Sequence, residues 1–291
     1  MMDKNDHYKM MTESKVEPLI LRLAVPTIIS MLVSSIYNMA DTFFVSQLGT
    51  SASAAVGIVF SLMAIMQAIG FTIGMGSGIL SSRCLGAGKG EEANIIASSA
   101  VFLVIIISSF IAVLGLIFNK ELMVLLGSTT TILPYALDYS SFILIACPII
   151  CTSFVLNILL RNEGKAFYAM IGITTGGILN ITLDPIFIFK FNLATKGAAM
   201  ATALSQFISL IILLLMFIKK KSNLTLSVKY ISKNIKPYLN IIKTGLPSLS
   251  RQGLASIATM ILNIQAAVFG DAAVAAMSIS GRITFFLFSA L

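Results

Sequence analysis

Seven apolar stretches follow one another along this 291-residue chain, near residues 19–47, 53–80, 93–118, 134–160, 166–190, 195–218 and 238–269, and an eighth begins near 272. Each is long enough for a helix to cross a bilayer, which takes about 20 mostly apolar residues. Hydrocarbon offers no partner to an open backbone amide, so stretches like these fold as helices that satisfy their own hydrogen bonds. Composition agrees: 57% of residues are hydrophobic and 11% charged, where a soluble domain carries roughly 25% charged. The expected class is an all-α polytopic membrane protein. The chain stops inside the eighth stretch, between Ile283 and Leu291, with no polar exit, and reads as a fragment of a longer design. Met1 to Glu17 is polar and mixed in charge, without the short apolar core and small-residue cleavage site of a secretory signal.

The net charge is +8, and the positive residues are unevenly placed. If the N-terminus lies inside, the inner segments hold Lys4, Lys9, Lys15, Arg22, Arg83, Lys89, Arg161, Lys165 and seven lysines from Lys219 to Lys243. The outer loops hold only Lys120, Lys190 and Lys196. The positive-inside rule then predicts an inside N-terminus in a cytoplasmic (plasma) membrane. The excess is topogenic; no base-stacking pattern accompanies it, so no nucleic-acid partner is expected. Cys84, Cys147 and Cys151 are the only cysteines and His7 the only histidine. Cys147 and Cys151 are four apart with no other ligand type beside them, and read as inert thiols. No metal site and no Ser–His chemistry is expected, so the chain is not read as an enzyme.

The sequence starts again after one linker. Residues 20–58 align without a gap on 241–279, which sets Pro26 on Pro247, Ile36 on Ile257, Met39 on Met260 and Gly49 on Gly270. Six spans return the chain to the side it started from, so the repeat is parallel, as in transporters whose halves rock against each other. The expected division is a six-helix N-terminal lobe over 1–218, a basic cytoplasmic linker over 219–236, and over 237–291 the first one to two helices of a second lobe.

Two carboxylates lie inside apolar spans: Asp41 in the first and Asp184 in the fifth. A charge at that depth costs about 2.5–3.5 kcal/mol on insertion scales, and such residues mark pathways and relays. No lysine or arginine lies in the interior of the first six spans, so neither acid has a ready counter-ion. Each could hold a proton while dry and release it when its cavity wets, or bind Na⁺ with help from amide and hydroxyl oxygens. The repeat sets Leu262 opposite Asp41, so the acid is not a requirement of the repeated helix. Polar partners are available at helical spacing. Ser30, Ser34, Asn38 and Asp41 share a face of the first span with Tyr37 at its border. Gly176, Asn180 and Asp184 share one in the fifth, and Thr202 and Gln206 one in the sixth. The alternative for Ser30, Ser34 and Thr202 is polar glue between helices. Pro26 is a hinge or a static kink, and Pro185 predicts a bend at Asp184. Asp138, with Tyr139 at the start of the fourth span, is a helix cap or a site residue. Arg161 and Glu163 read as a loop salt bridge.

These residues carry a resemblance. Tyr37-Asn38-Met39-Ala40-Asp41-Thr42-Phe43-Phe44 with Leu48-Gly49 resembles the first-helix signature of the multidrug and toxic compound extrusion (MATE) family. So do Ser82-Arg83-Cys84-Leu85-Gly86-Ala87-Gly88, Asn157 to Gly164, Asn180-Ile181-Thr182-Leu183-Asp184-Pro185 and Gly197 to Thr202, in that order. The resemblance implies two six-helix lobes around a central cavity. It also implies export of small organic, often cationic compounds in exchange for H⁺ or Na⁺, by a protein that is a monomer when full length. It further implies an ion site at Asp41, Asn180, Asp184 and Thr202 with Tyr139 nearby, bending of the first helix at Pro26, and no cofactor beyond the coupling ion. Alternatives are a lipid-linked oligosaccharide flippase of the same superfamily, which would want arginines such as Arg251 and Arg282, an aspartyl enzyme built on Asp41 and Asp184, and an inactive product.

Overall fold

A computed structural model describes residues 15–128 and 130–267, and the fold follows the apolar pattern. The helices are α1 (Val16–Ser46), α2 (Thr50–Gly86), α3 (Gly90–Ile117), a short α4 (Asn119–Leu125), α5 (Leu133–Asn162), α6 (Ala166–Pro185), α7 (Ala194–Ile218) and α8 (Lys236–Ala267). Six of them, all but α4 and α8, are long and apolar enough to cross a membrane. The seventh expected span does form a helix, α8. Its polar residues, Arg251, Gln252, Asn263 and Gln265 among them, leave it less apolar than the six. The eighth span, Arg282 and the repeat positions from Gly270 onward lie outside the described residues.

α5 is the central stave. Most of its apolar stretch is buried, whereas most of that of α1 is not. Tyr139, Ile143, Leu144, Leu156, Leu159 and Leu160 of α5 are fully buried and join the core of the lobe. α2, α3, α6 and α7 pack around α5; α1 leans mainly on α6, and α8 mainly on α2. Cys147 and Cys151 belong to this core, and the Cys151 thiol donates to the Met66 carbonyl oxygen at 3.4 Å. α8 approaches α2 backbone to backbone. A Cβ on Gly76 would collide with the Ile241 carbonyl, and one on Gly245 with the Thr72 carbonyl. α8 carries Pro247 inside its length as α1 carries Pro26, at the spacing the repeat predicts.

The inner ends of the helices, on the side where α1 begins, are closed by backbone hydrogen bonds. α2 ends with Lys89 N donating to Cys84 O and Gly88 N to Leu85 O; α5 ends with Lys165 N donating to Leu160 O and Gly164 N to Arg161 O. This paired closure needs a left-handed residue, supplied by Gly88 (φ 74°) and Gly164 (φ 81°). Beyond α7 the linker does not hang free. Asn223 N donates to the Glu163 carboxylate at 2.8 Å, Thr225 N to Asn94 Oδ1 at 2.7 Å, Ser227 N to Ser98 Oγ at 3.2 Å and Ser232 N to Ser99 Oγ at 3.0 Å. Ser222 and Leu224 are buried beneath it and Leu226 packs on the core. Residues 222–232 thus form a strap across the inner ends of α3 and α5. The expected Arg161–Glu163 loop bridge gives way to this arrangement, because Glu163 turns into the protein to receive Asn223.

Two tests follow. Gly245→Leu or Gly76→Leu forces α8 off α2, and overpacking of this kind costs about 1–3 kcal/mol or more; the melting temperature of the purified protein in detergent should fall. Burial raises the Glu163 carboxyl from 4.5 to about 7, against the lowering effect of the Ser222 and Asn223 hydrogen bonds. A raised carboxyl is favoured in its neutral form, so its contribution to stability is complete below pH 4.5 and is lost as pH rises through about 7. Glu163→Gln keeps an acceptor for Asn223 and removes the titration. Its melting temperature should gain on the parent from pH 5 to pH 8, a window set by those two values.

Candidate functional site

The two intramembrane acids come together. Asp41 on α1 and Asp184 on α6 are both buried, at 5% and 0% exposure, and lie close enough for their charges to interact. Asn180, one turn before Asp184, is the hub. Its Nδ2 donates to Asp184 Oδ1 at 3.3 Å and to Thr202 Oγ1 of α7 at 3.2 Å. Tyr139 of α5 is fully buried in the field of both acids and beside Thr202. Four helices therefore each contribute to one cluster. Below Asp184 the chain supports this placement: Pro185 cannot donate a backbone hydrogen bond, and the α-helix gives way to a π-turn over Ile186–Lys190. This change of helix type directly follows Asp184-Pro185, where a bend is expected, and π-turns often occur at functional sites.

Acceptors outnumber donors in the cluster. Asp41 Oδ1, Asp184 Oδ2 and Asn180 Oδ1 are buried without a hydrogen-bond partner, as is the Tyr139 hydroxyl. Amide and ionised carboxylate oxygens only accept. The ion pairs Lys89–Glu92 and Lys196–Asp138 do not involve these acids. Leaving such a group unmatched costs about 1–3 kcal/mol, and more when it is charged. What the arrangement asks for is a positive species small enough to sit among oxygens. The donor set suits a proton or a hard monovalent cation such as Na⁺.

The rest of the predicted polar stripe behaves differently. Ser30, Ser34 and Asn38 donate to the carbonyls of Pro26, Ser30 and Ser34, each within 2.9 Å. They are satisfied inside α1, so they are not glue between helices. α1 runs unbroken through Pro26. Ser34 and Tyr37 also line a cavity of about 40 Å³ with Asn157, Gly176 and Gln206. That volume exceeds the ~10–15 Å³ needed for one water. Tyr37, Gly176 and Gln206 each lie four residues from a member of the acid cluster (Asp41, Asn180 and Thr202), all toward the inner side. The cavity is thus one helical turn inward of the acids. Asp138 is neither a cap nor a cluster member; it pairs with Lys196 at 3.2 Å between the outer ends of α5 and α7, half exposed.

Sequence reasoning missed Ser153, Asn157 and Ser209 as cavity residues. Asn157 Nδ2 donates to Ala169 O at 2.9 Å and Ser209 Oγ to Gly172 O at 2.9 Å, so both also hold α6 in place. Their signal was available, since Ser153 and Asn157 are four apart on an otherwise apolar helix.

With this geometry in view, comparison with known proteins is informative. The model of the MatE family matches residues 26–186, more than half of the chain. The multidrug export protein MepA of Staphylococcus saprophyticus is 27% identical over 267 residues, covering 91% of this chain and 59% of that protein. A crystal structure of MATE in complex with MaL6 superposes with a TM-score of 0.92 at 31% identity, over 99% of this chain and 64% of that one. Crystal structures of MATE in the straight and bent conformations each cover all of this chain. The straight one, 31% identical, matches at TM-score 0.91 over 64% of its own length; the bent one, 29% identical, matches at 0.85 over 65%. The chain spans about three-fifths of the length of the curated relatives it matches.

The unmatched Tyr139 hydroxyl yields a prediction. Tyr139→Phe removes a buried polar group that has no partner, so the melting temperature should hold or rise, by no more than about 1 kcal/mol of stability. If the cluster binds a cation, the same variant should lose part of the extra thermal stability gained when Na⁺ is added or pH is lowered.

Proposed function

We propose that this chain, which belongs to the MatE family, forms the ion-coupling lobe of a secondary multidrug exporter. In this reading it exports small organic, often cationic compounds in exchange for H⁺ or Na⁺, and lies in the plasma membrane with its N-terminus inside. The observation that carries the reading is the surplus of buried oxygens contributed by four helices. A cation entering the cluster would satisfy Asp41, Asp184 and Asn180 together, with Thr202 and Tyr139 supplying further oxygens.

Coupling requires that ion and substrate favour different conformations. α1 is suited to sense the ion. It is the least buried of the six spans and leans mainly on α6. Its one acid in the cluster, Asp41, faces Asp184 of that same α6. When both carboxylates are charged they repel across the α1–α6 contact; a bound cation turns repulsion into attraction. Pro26 removes one backbone hydrogen bond from α1 and is the place where the inner end of that helix can give way. The cavity beside Tyr37 and Gln206 lies on the inner side of the acids and offers water a route to them from that face.

The test is ethidium efflux from vesicles under an imposed H⁺ or Na⁺ gradient, using this chain joined to the remaining helices of a full-length relative. Efflux should follow one of the two gradients. Asp41→Asn and Asp184→Asn should each reduce it to background while leaving membrane insertion and abundance unchanged. Efflux that persists in both variants would remove the acid pair from the mechanism.

A further inference from the structure

We propose that the lysine-rich segment from Lys219 to Lys236, with the strap at its centre, is a docking surface for the headgroups of anionic phospholipids in the leaflet it faces. From Lys219 to Lys243 the sequence holds seven lysines and no aspartate or glutamate. Positive charge alone would serve orientation, and a solvated charged loop would suffice for that. The strap is not such a loop. Four backbone N–H groups tie it to Glu163, Asn94, Ser98 and Ser99, and these bonds set its depth. Counting about 20 residues back from Ile117, the outer end of α3, places the inner edge of the hydrocarbon near Ser98. Ser227 and Ser232, bonded to Ser98 and Ser99, therefore lie at the headgroup boundary.

What the strap presents at that depth is amphipathic. Val228 is 83% exposed and Ile235 69% exposed. Lys229, Lys233 and Lys236, which stand beside them in the chain, are exposed too. None of the three enters an ion pair among the described residues. The acids of the neighbouring elements do not neutralise them. Glu163 is buried beneath Asn223, Glu92 is engaged by Lys89 at 3.1 Å, and only Glu91 stands open on the first turn of α3. Apolar side chains beside unpaired lysines at a membrane boundary match a surface with acyl chains on one side and phosphates on the other. Each such lysine near an anionic leaflet contributes about a fivefold gain in affinity. This surface lies apart from the acid cluster and does not depend on which ion is coupled.

The chain has no tryptophan, so Val228→Trp reports from the strap alone. The protein would be reconstituted in nanodiscs of phosphatidylglycerol or of phosphatidylcholine, each with brominated acyl chains that quench nearby indole. Both leaflets of a nanodisc have the same lipid, so the result is independent of orientation in the cell. Quenching should be about twofold or more stronger in phosphatidylglycerol and should fade near about 0.5 M NaCl, where screening is short-ranged. It should also be lost when Lys229, Lys233 and Lys236 are all changed to Gln. Equal quenching in the two lipids, or indifference to the lysine changes, overturns the proposal. So does loss of the contrast on adding inorganic phosphate at low millimolar concentration, which would mark a free-anion site. Should the tryptophan variant fail to insert, native mass spectrometry of the parent and the triple Lys→Gln protein decides. The parent should retain more phosphatidylglycerol, and equal retention overturns the proposal.

Discussion

Hydrocarbon accepts no hydrogen bonds, and many polar groups among the described residues are placed to meet that condition. Backbone amides are spent within long helices. Serine, threonine and asparagine side chains inside α1 return to carbonyls one turn back, as Ser30, Ser34, Asn38 and Thr42 do. Where helices end on the inner side, Gly88 and Gly164 let the last carbonyls find amides from the turn. Some buried hydroxyls, those of Ser35, Ser81 and Ser153 among them, also lack a partner, but the oxygens of Asp41, Asp184 and Asn180 differ in belonging to one cluster. They are among the most deeply buried polar atoms, and they are left as acceptors facing one another. In the proposed reading, a cation completes these oxygens for part of a cycle.

Much of this was legible in the sequence, because the strongest signals in a membrane chain are length and exception. The spans were set by the run of apolar residues, and their ends moved by only a few positions. Asp41, Asn180, Asp184 and Thr202 were visible because helical spacing and membrane depth are both one-dimensional properties. What was not legible depends on which helices touch. No local pattern distinguishes α5 as the central stave, since its apolar character resembles that of α3, which is far less buried. The stripe on α1 could have joined helices or closed on itself, and only the folded structure separates the two. Glu163 looked like a loop residue because its partner, Asn223, is 60 positions away. The less apolar character of α8 was readable in Arg251 and Gln252 but was outweighed by its length.

The repeat sharpens the meaning of these exceptions. α1 and α8 occupy corresponding places in the sequence, and both carry a proline at the same register, Pro26 and Pro247. The proline therefore belongs to the repeated design, whereas Asp41 does not, because its counterpart is Leu262. The two helices also differ in how they are held. Backbone contact at Gly76 and Gly245 fixes α8 against α2 with no room for a methyl group. α1 meets α6 through side chains: a Cβ on Gly177 would press on the Val33 and Tyr37 side chains and on no backbone atom of α1.

That difference bears on which element of the lobe moves. Two packed backbones resist displacement, since any shift opens a void or a clash along the whole contact. A helix held by side chains can tilt while they rearrange. α1 joins such an attachment to a proline, little burial and one of the two interacting acids, so a change of charge at Asp41 acts on the span with least to hold it still. α8 remains bound to α2, and the strap before it is bonded to α3 and α5. In the proposed cycle, motion originating at the acid pair would pass along α1, while α8 and the strap stay with the helices they contact. Asp41 lies on α1 and its counterpart Leu262 on α8; in the proposed reading, the acid that would sense the ion sits on the member of the pair held through side chains.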